Sequence, residues 1–266
     1  MPFITQLLST VALQIAGLFG IFFVFGFILS KLQEWTQTEY MNSVGWRGIL
    51  WTAWIGTPIH EAGHAIMAKL FRHRIERFAI FAPNRNSGEL GAVDHSFNPR
   101  SLYQRLGNFF IGAAPMIFGS LALFLLVRYL LPNGPSVLLP LVGITANSNL
   151  QEIPLHVFAT LGQLFSFANI HSWSFYLFLY VSFAVASHLA PSKLDRGQIW
   201  GGFFWILLIL IAANAVAMLV HRDITSYVLY INKYLAIFTV IFLYATIISL
   251  LHWCLIKVVL APFKRN

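Results

Sequence analysis

Six apolar runs, each roughly the 20 residues that carry a helix across a bilayer, leave this chain little choice of fold. They cover Leu7–Ser30, Gly48–Phe71, Leu106–Leu131, Trp173–Ala190, Ile199–Val220 and Tyr234–Leu260. In hydrocarbon every backbone N–H and C=O must find its partner inside the chain, so runs of this length read as helices. The expected fold class is an α-helical polytopic membrane protein with about six transmembrane helices. Composition agrees: 58% of the residues are hydrophobic, 10% are charged and mean hydropathy is +0.72. The longest polar stretch, about 35 residues, is too short for a separate soluble domain of ordinary size. One membrane domain spanning 1–266 is expected, with an extra N-terminal span to 46, a core over 47–200 and further spans over 201–266. The first run is too long, and too poor in preceding basic residues, for a cleaved signal peptide. Between Pro132 and Ser172 the pattern weakens. A short apolar patch, VLLPLVGITA, is followed by polar NSNLQE, so a re-entrant or interfacial segment is expected there.

The net charge is +8, but the basic residues gather at the ends of apolar runs. Anchoring to headgroups accounts for them, and no nucleic-acid partner is implied. Residues 72–105 hold six arginines, whereas 132–172 hold no lysine or arginine. With Lys193, Arg196, Lys264 and Arg265, this count predicts N- and C-termini on the cytoplasmic side of a prokaryotic cell membrane. In the arginine-rich loop, RFAIF (77–81) and ELGAVD (89–94) flank the turn formers PNRNSG. A small cytoplasmic β-hairpin between the second and third spans is expected. Cys254 is the single cysteine. An intrachain disulfide and a cysteine-held metal are therefore excluded, and any metal must be held by His, Asp or Glu.

The second run contains Pro58-Ile59-His60-Glu61-Ala62-Gly63-His64-Ala65. An ionisable residue at the centre of a membrane helix costs roughly 2.5–3.5 kcal/mol on insertion scales, so three together need a common cause. His60 and His64, four apart, share a helix face, where two imidazoles can reach one metal ion. Glu61 lies beside them, able to act on a water at that ion without ligating it. This is the physical content of H-E-x-x-H. A metal-free His/Glu hydrogen-bond cluster is the bland alternative.

A His–His site that performs hydrolysis needs a third protein ligand and an open position. Acids are few. Glu89 and Asp94 fall in the arginine-rich loop, Glu152 in the weak region, and Asp223 after the fifth run. Asp195 stands out, within Ser187-His188-Leu189-Ala190-Pro191-Ser192-Lys193-Leu194-Asp195-Arg196-Gly197, where Pro191 and Gly197 interrupt a helix between two spans. Broken helices are tolerated in membranes where they line a polar cavity. His188 is the rival, as an alternative ligand or as a group behind one. His73, His95, His156, His171, His221 and His252 are expected to pack or to sit at interfaces, and Asn214 to make a helix–helix hydrogen bond.

These pieces resemble the site-2 protease family of intramembrane zinc metalloproteases. IHEAGHAIMAKLF matches its first motif, Leu194-Asp195-Arg196-Gly197 its aspartate motif loosely, and Gly112-Ala113-Ala114-Pro115 its Gly-Pro segment. The resemblance covers roughly 50–200. It implies a site-2-protease-like core, one zinc ion per chain held by His60, His64 and Asp195, and Glu61 as general base and acid. The implied substrate is a transmembrane or membrane-anchored protein, cut within or near the bilayer on the cytoplasmic side. Two departures stand out: Ala190-Pro191 precedes the aspartate motif, and Arg196 follows the aspartate where the family has glycine. No PDZ domain fits in the chain. The alternatives are a non-catalytic metal-binding adaptor or degenerate homologue, a di-iron lipid oxidase, which lacks its H-x-x-H-H box here, and a transporter, which lacks its repeated halves. Zinc is the default for such a donor set, although affinity alone would admit cobalt, nickel or iron.

Overall fold

The computed structural model describes residues 2–142 and 150–264. Helix α1 (Pro2–Ser43) runs unbroken for 42 residues, about 63 Å at 1.5 Å per residue. Gly45, at φ 71°, takes the left-handed conformation that glycine alone adopts freely and turns the chain into α2 (Trp46–Leu70). The hairpin follows: β1 (Arg74–Ala79) pairs antiparallel with β2 (Ala92–Ser96), Ile75 facing His95 and Ala79 facing Ala92. The expected hairpin is present, its strands shifted from the anticipated 77–81 and 89–94. Phe81 lies past the end of β1, and Glu89 pairs only in an isolated bridge with Asn84.

Next come α3 (Leu102–Leu130), α4 (Gly134–Val142), a 3-10 turn (Leu150–Glu152), α5 (Ile153–Leu164) and α6 (Phe167–Ile170). The chain ends with α7 (Trp173–Ala186), α8 (Lys193–Leu219), α9 (Thr225–Leu229), α10 (Asn232–Val259) and a 3-10 turn (Ala261–Phe263). Among the described residues five segments are long and apolar enough to cross a membrane: Phe3–Ser43, Leu102–Leu130, Ile153–Ile170, Lys193–Leu219 and Ile237–Val259. This is an α-helical membrane protein. Helix α2 misses that level of apolarity because His60, Glu61 and His64 lie in it.

The core sits where α1, α3, α7 and α10 meet, around Leu29, Met116, Leu123, Phe178, Leu189, Tyr244 and Ile248, each at most 2% exposed. The weak region, where a re-entrant or interfacial segment was expected, also carries Ile153–Ile170, one of the segments long and apolar enough to cross. Asn133, just past α3, donates from Nδ2 to the Gln163 carbonyl (3.3 Å) and Ser166 Oγ (2.9 Å). The excursion through α4 and α5 thus begins and ends at the same end of the bundle. Part of its expected apolar patch, 143–146, lies outside the described residues.

Helix directions correct one expectation. Helix α7 runs alongside α2 towards the hairpin: Tyr180 bonds Trp51 and Trp54, and His188 bonds His60. The fourth and fifth runs were expected to cross in opposite directions, joined by a turn at Asp195. Instead α8 continues the way α7 was going. Asp195 and Ile199 lie against Gly112, Gly202 against Phe109, and Trp205 under Arg105, each step nearer the hairpin end of α3. The two runs are halves of one interrupted traverse. One consequence is that the described ends of the chain lie at opposite ends of the bundle. Gln14 of α1 bonds Asn214 near the end of α8, while Lys264 pairs with Glu39 near the other end of α1 (2.9 Å). The physical reason is at Ser192. Its hydroxyl accepts from Asp195 N–H (3.2 Å) and the Asp195 carboxylate accepts from Ser192 N–H (2.6 Å). This reciprocal cap restarts a helix where charge and proline suggest a turn. The S-x-x-D spacing was the signal in the sequence that pointed to it.

Candidate metal centre

One turn of α2 carries His60, Glu61 and His64. The two histidines present their Nε2 atoms 3.2 Å apart. The first turn of α8 brings the Asp195 carboxylate to them, Oδ1 3.1 Å from His64 Nε2 and Oδ2 3.5 Å from His60 Nε2. Ligand atoms 2.0–2.2 Å from a common tetrahedral centre stand about 3.3–3.6 Å apart. The two imidazole nitrogens stand at about that edge length, and the carboxylate reaches each of them at a comparable distance, with Oδ1 towards His64 and Oδ2 towards His60. His64 and Asp195 are each 6% exposed. Among the described residues no other group of three His, Cys, Asp or Glu side chains meets a metal-site geometry.

The tautomers follow from the opposite ring nitrogens. His60 Nδ1 lies 2.7 Å from the His188 carbonyl and His64 Nδ1 2.8 Å from the Ile111 carbonyl. A carbonyl only accepts, so each Nδ1 carries the proton and donates it. Each Nε2 then offers a lone pair. Two lone pairs and a buried carboxylate converging without a cation repel one another, and such an arrangement is costly unless a positive charge sits among them. The donor set fits zinc: two neutral imidazoles and one carboxylate, each held from behind.

Interrupted helical hydrogen bonds supply these supports. In an unbroken helix the N–H of residue 115 would bond the carbonyl of Ile111, but position 115 is proline and has no N–H. The freed Ile111 carbonyl accepts from His64. Likewise the N–H of Ser192 would bond the His188 carbonyl if α7 and α8 were continuous. The break at Pro191 parts them: the carbonyl goes to His60 and the N–H to Asp195. Two halves of one missing helical bond hold two of the three candidate ligands. Gly112 completes the approach, since a Cβ there would stand 2.5 Å from the Asp195 carbonyl oxygen. Only glycine lets α3 and α8 come this close.

Glu61 stays outside the cluster of three. It is 7% exposed and bonds no described residue. The hairpin lies over it. A Cβ on Gly91 would stand 2.8 Å from Glu61 Cγ and 2.9 Å from Thr57 Cγ2. Thr57 Oγ1, one turn before Glu61, is buried with no partner among the described residues.

His188 does not bring its ring to the cluster. Thr52 Oγ1 donates to the Ile49 carbonyl, and His188 Nε2–H donates to Thr52 Oγ1 at 3.2 Å. It is the backbone of His188 that reaches the site. The remaining acids are elsewhere: Glu89 and Asp94 pair with Arg77, Glu152 is exposed, and Asp223 accepts from Thr225 N–H. His252 bonds Tyr40 and Ser187, and Asn214 exchanges hydrogen bonds with Gln14. His73 Nε2–H donates to the Gln104 carbonyl, which leaves its Nδ1 to accept from His95 Nδ1–H at 3.0 Å. Burial holds both imidazoles below their usual pKa of 6.5. Gln198 of α8 stands 3.3 Å from His95 Nε2, which in this tautomer accepts from the side-chain amide N–H, so the hairpin is tied to the helix that carries Asp195.

The carbonyls of Ile111 and His188, Gly91, and this histidine pair escaped sequence reasoning, though Pro115 and Pro191 were visible signals for the first two. No family model, curated protein or solved structure matches the chain.

Proposed function

We propose that this protein is an intramembrane zinc metallopeptidase of the site-2 protease type, hydrolysing a peptide bond of a membrane-protein substrate within or near the bilayer. One observation carries the reading: two imidazole lone pairs and a carboxylate converge at tetrahedral spacing, with a second carboxylate, Glu61, beside them and bound to no described residue. A zinc ion held by His60, His64 and Asp195 would supply Lewis acidity, lowering the pKa of a water towards ~7 and polarising the scissile carbonyl. Glu61 takes the proton released as the water attacks and delivers it to the leaving amine, so the protons balance over the cycle. His60 and His64 would ligate as neutral imidazoles through Nε2, with their Nδ1 protons held on carbonyls. The surrounding helices exclude bulk water. The outer edge of the hairpin suits an extended substrate segment, whose backbone would add as a further strand.

A second reading, a metal-holding adaptor without turnover, draws on the contact of Gly91 with Glu61, which covers the base. The two readings part on the chemistry of new chain termini. Membranes carrying the wild type should contain protein N-termini, generated in or near spans, that are missing with Glu61→Gln. Identical sets of termini from two zinc-loaded proteins would refute the peptidase reading and leave the adaptor.

A further inference from the structure

We propose that Gln33, on the first helix, is a positioning residue for the metal centre: its side-chain carbonyl holds the non-helical segment that delivers Asp195. This rests on the reading that His60, His64 and Asp195 hold zinc. Residues 187–192 break the α7–α8 traverse, and three hydrogen bonds fix the course of this segment. His60 Nδ1–H donates to the His188 carbonyl, Ala190 N–H donates to Gln33 Oε1 at 2.9 Å, and Ser192 N–H donates to Asp195 Oδ2. The first and third involve candidate ligands themselves, so they organise the segment only once it is in position. Of these backbone bonds the middle one alone comes from outside the cluster; by its side chains the start of the segment is also held, Ser187 by His252 and His188 by Thr52.

Ala190 is 2% exposed. In a continuous helix its N–H would bond the carbonyl of residue 186, but α7 has already ended there. Buried backbone donors are almost always paired, and Gln33 Oε1 is the partner this one has. The donor also assigns the amide, because only the oxygen end of Gln33 can face an N–H. The contact is part of a wider dock. Glu34, next to Gln33, lies within electrostatic reach of Lys193 and Arg196 on either side of Asp195. Gly112 of α3 closes on the Asp195 backbone. The first turn of α8 is therefore seated between α1 and α3. Without Gln33 the segment loses its one backbone tether from outside the cluster, the one nearest to Ser192 and Asp195. Groups that orient ligands typically govern metal affinity by about 10- to 100-fold. Helix α1, which lies outside the part of the chain carrying the motifs, would thus belong to the functional centre.

The test uses full-length protein in detergent. Zinc affinity is measured by competition with a chromophoric chelator, and ligand geometry from the visible absorption of the cobalt-substituted protein. Gln33→Leu should weaken zinc binding about 10- to 100-fold and shift the cobalt spectrum towards that of Asp195→Ala. Gln33→Glu keeps an acceptor oxygen near Lys193 and Arg196 and should bind zinc as the wild type does. Gln37→Leu, the same change one turn along α1, should also leave affinity unaltered. Should Gln33→Leu fail to fold, Gln33→Asn, whose oxygen is drawn back by one methylene, takes its place with the same expectation. Wild-type affinity in Gln33→Leu, or equal loss in Gln33→Leu and Gln33→Glu, overturns the proposal. A wild type that binds no zinc at all defeats the metal reading beneath it, a distinct result.

Discussion

Replacing Pro115 with alanine separates the stability of α3 from the affinity of the metal centre, because the two should move in opposite directions. Alanine restores an N–H aimed along the helix at the Ile111 carbonyl, the acceptor that now serves His64 Nδ1 at 2.8 Å. Proline in a helix interior costs roughly 3 kcal/mol relative to alanine. Pro115 is buried, so lost ring contacts offset part of that gain, and the zinc-free protein should melt at or above the wild-type temperature. The metal centre should weaken. A carbonyl has two lone pairs and can serve both donors, but the bond to His64 is then shared and bent. The expected loss lies at the lower end of the range for groups behind a ligand, about tenfold, or about 1.4 kcal/mol. Zinc should therefore raise the melting temperature of Pro115→Ala less than it raises that of the wild type. Melting curves with and without zinc, together with a chelator-competition titration, read both quantities. Unchanged or tighter zinc binding in Pro115→Ala would refute the idea that the proline exists to free this carbonyl.

Gly91→Ala places a Cβ against Glu61 Cγ and Thr57 Cγ2; it should keep its zinc and lose peptidase activity by at least about tenfold, read by metal analysis beside a cleavage assay. His188→Gln should keep one metal per chain and lose thermal stability, because the ring supports Thr52 while the backbone carbonyl faces His60; metal analysis and a melting curve check both. His73 and His95 titrate below 6.5 in the folded protein because they are buried. The unfolded chain therefore binds more protons just below that pH, and the stability the pair contributes is present above pH 6.5 and lost as pH falls below it. Protection factors of the amides in β1 and β2, with the slower intrinsic exchange at low pH divided out, should fall on acidification from pH 7.5 to about 5.5, and His95→Gln should blunt the change.

The membrane class, the hairpin and the His60/His64 pair were legible because each rests on a local pattern: apolar length, turn formers between strands, and spacing on one helix face; Asp195 was reached because acids are few and Pro191 breaks the helix before it. The direction of α8 was not. Lys193, Asp195 and Arg196 between two apolar runs read as a loop at a membrane surface, and the Ser192–Asp195 cap that restarts the helix was outweighed by the charge count. Lys264, counted with the hairpin arginines, lies instead at the other end of the bundle beside Glu39. The supports behind the ligands were hidden for another reason. They are backbone carbonyls, which residue identity does not advertise, and only their cause, proline four residues after Ile111 and three after His188, is written in the chain. Gln33 lies more than 150 residues from its partner, and nothing in its surroundings along α1 marks it.

Metal content of the detergent-purified protein, by elemental analysis of wild type, Glu61→Gln, His64→Ala and Asp195→Ala in parallel, tests the central claim most directly. The account predicts one zinc per chain in the wild type and in Glu61→Gln, and none in the other two. A wild type without metal, purified free of chelators and supplied with zinc, would contradict it, as would full retention of metal in Asp195→Ala.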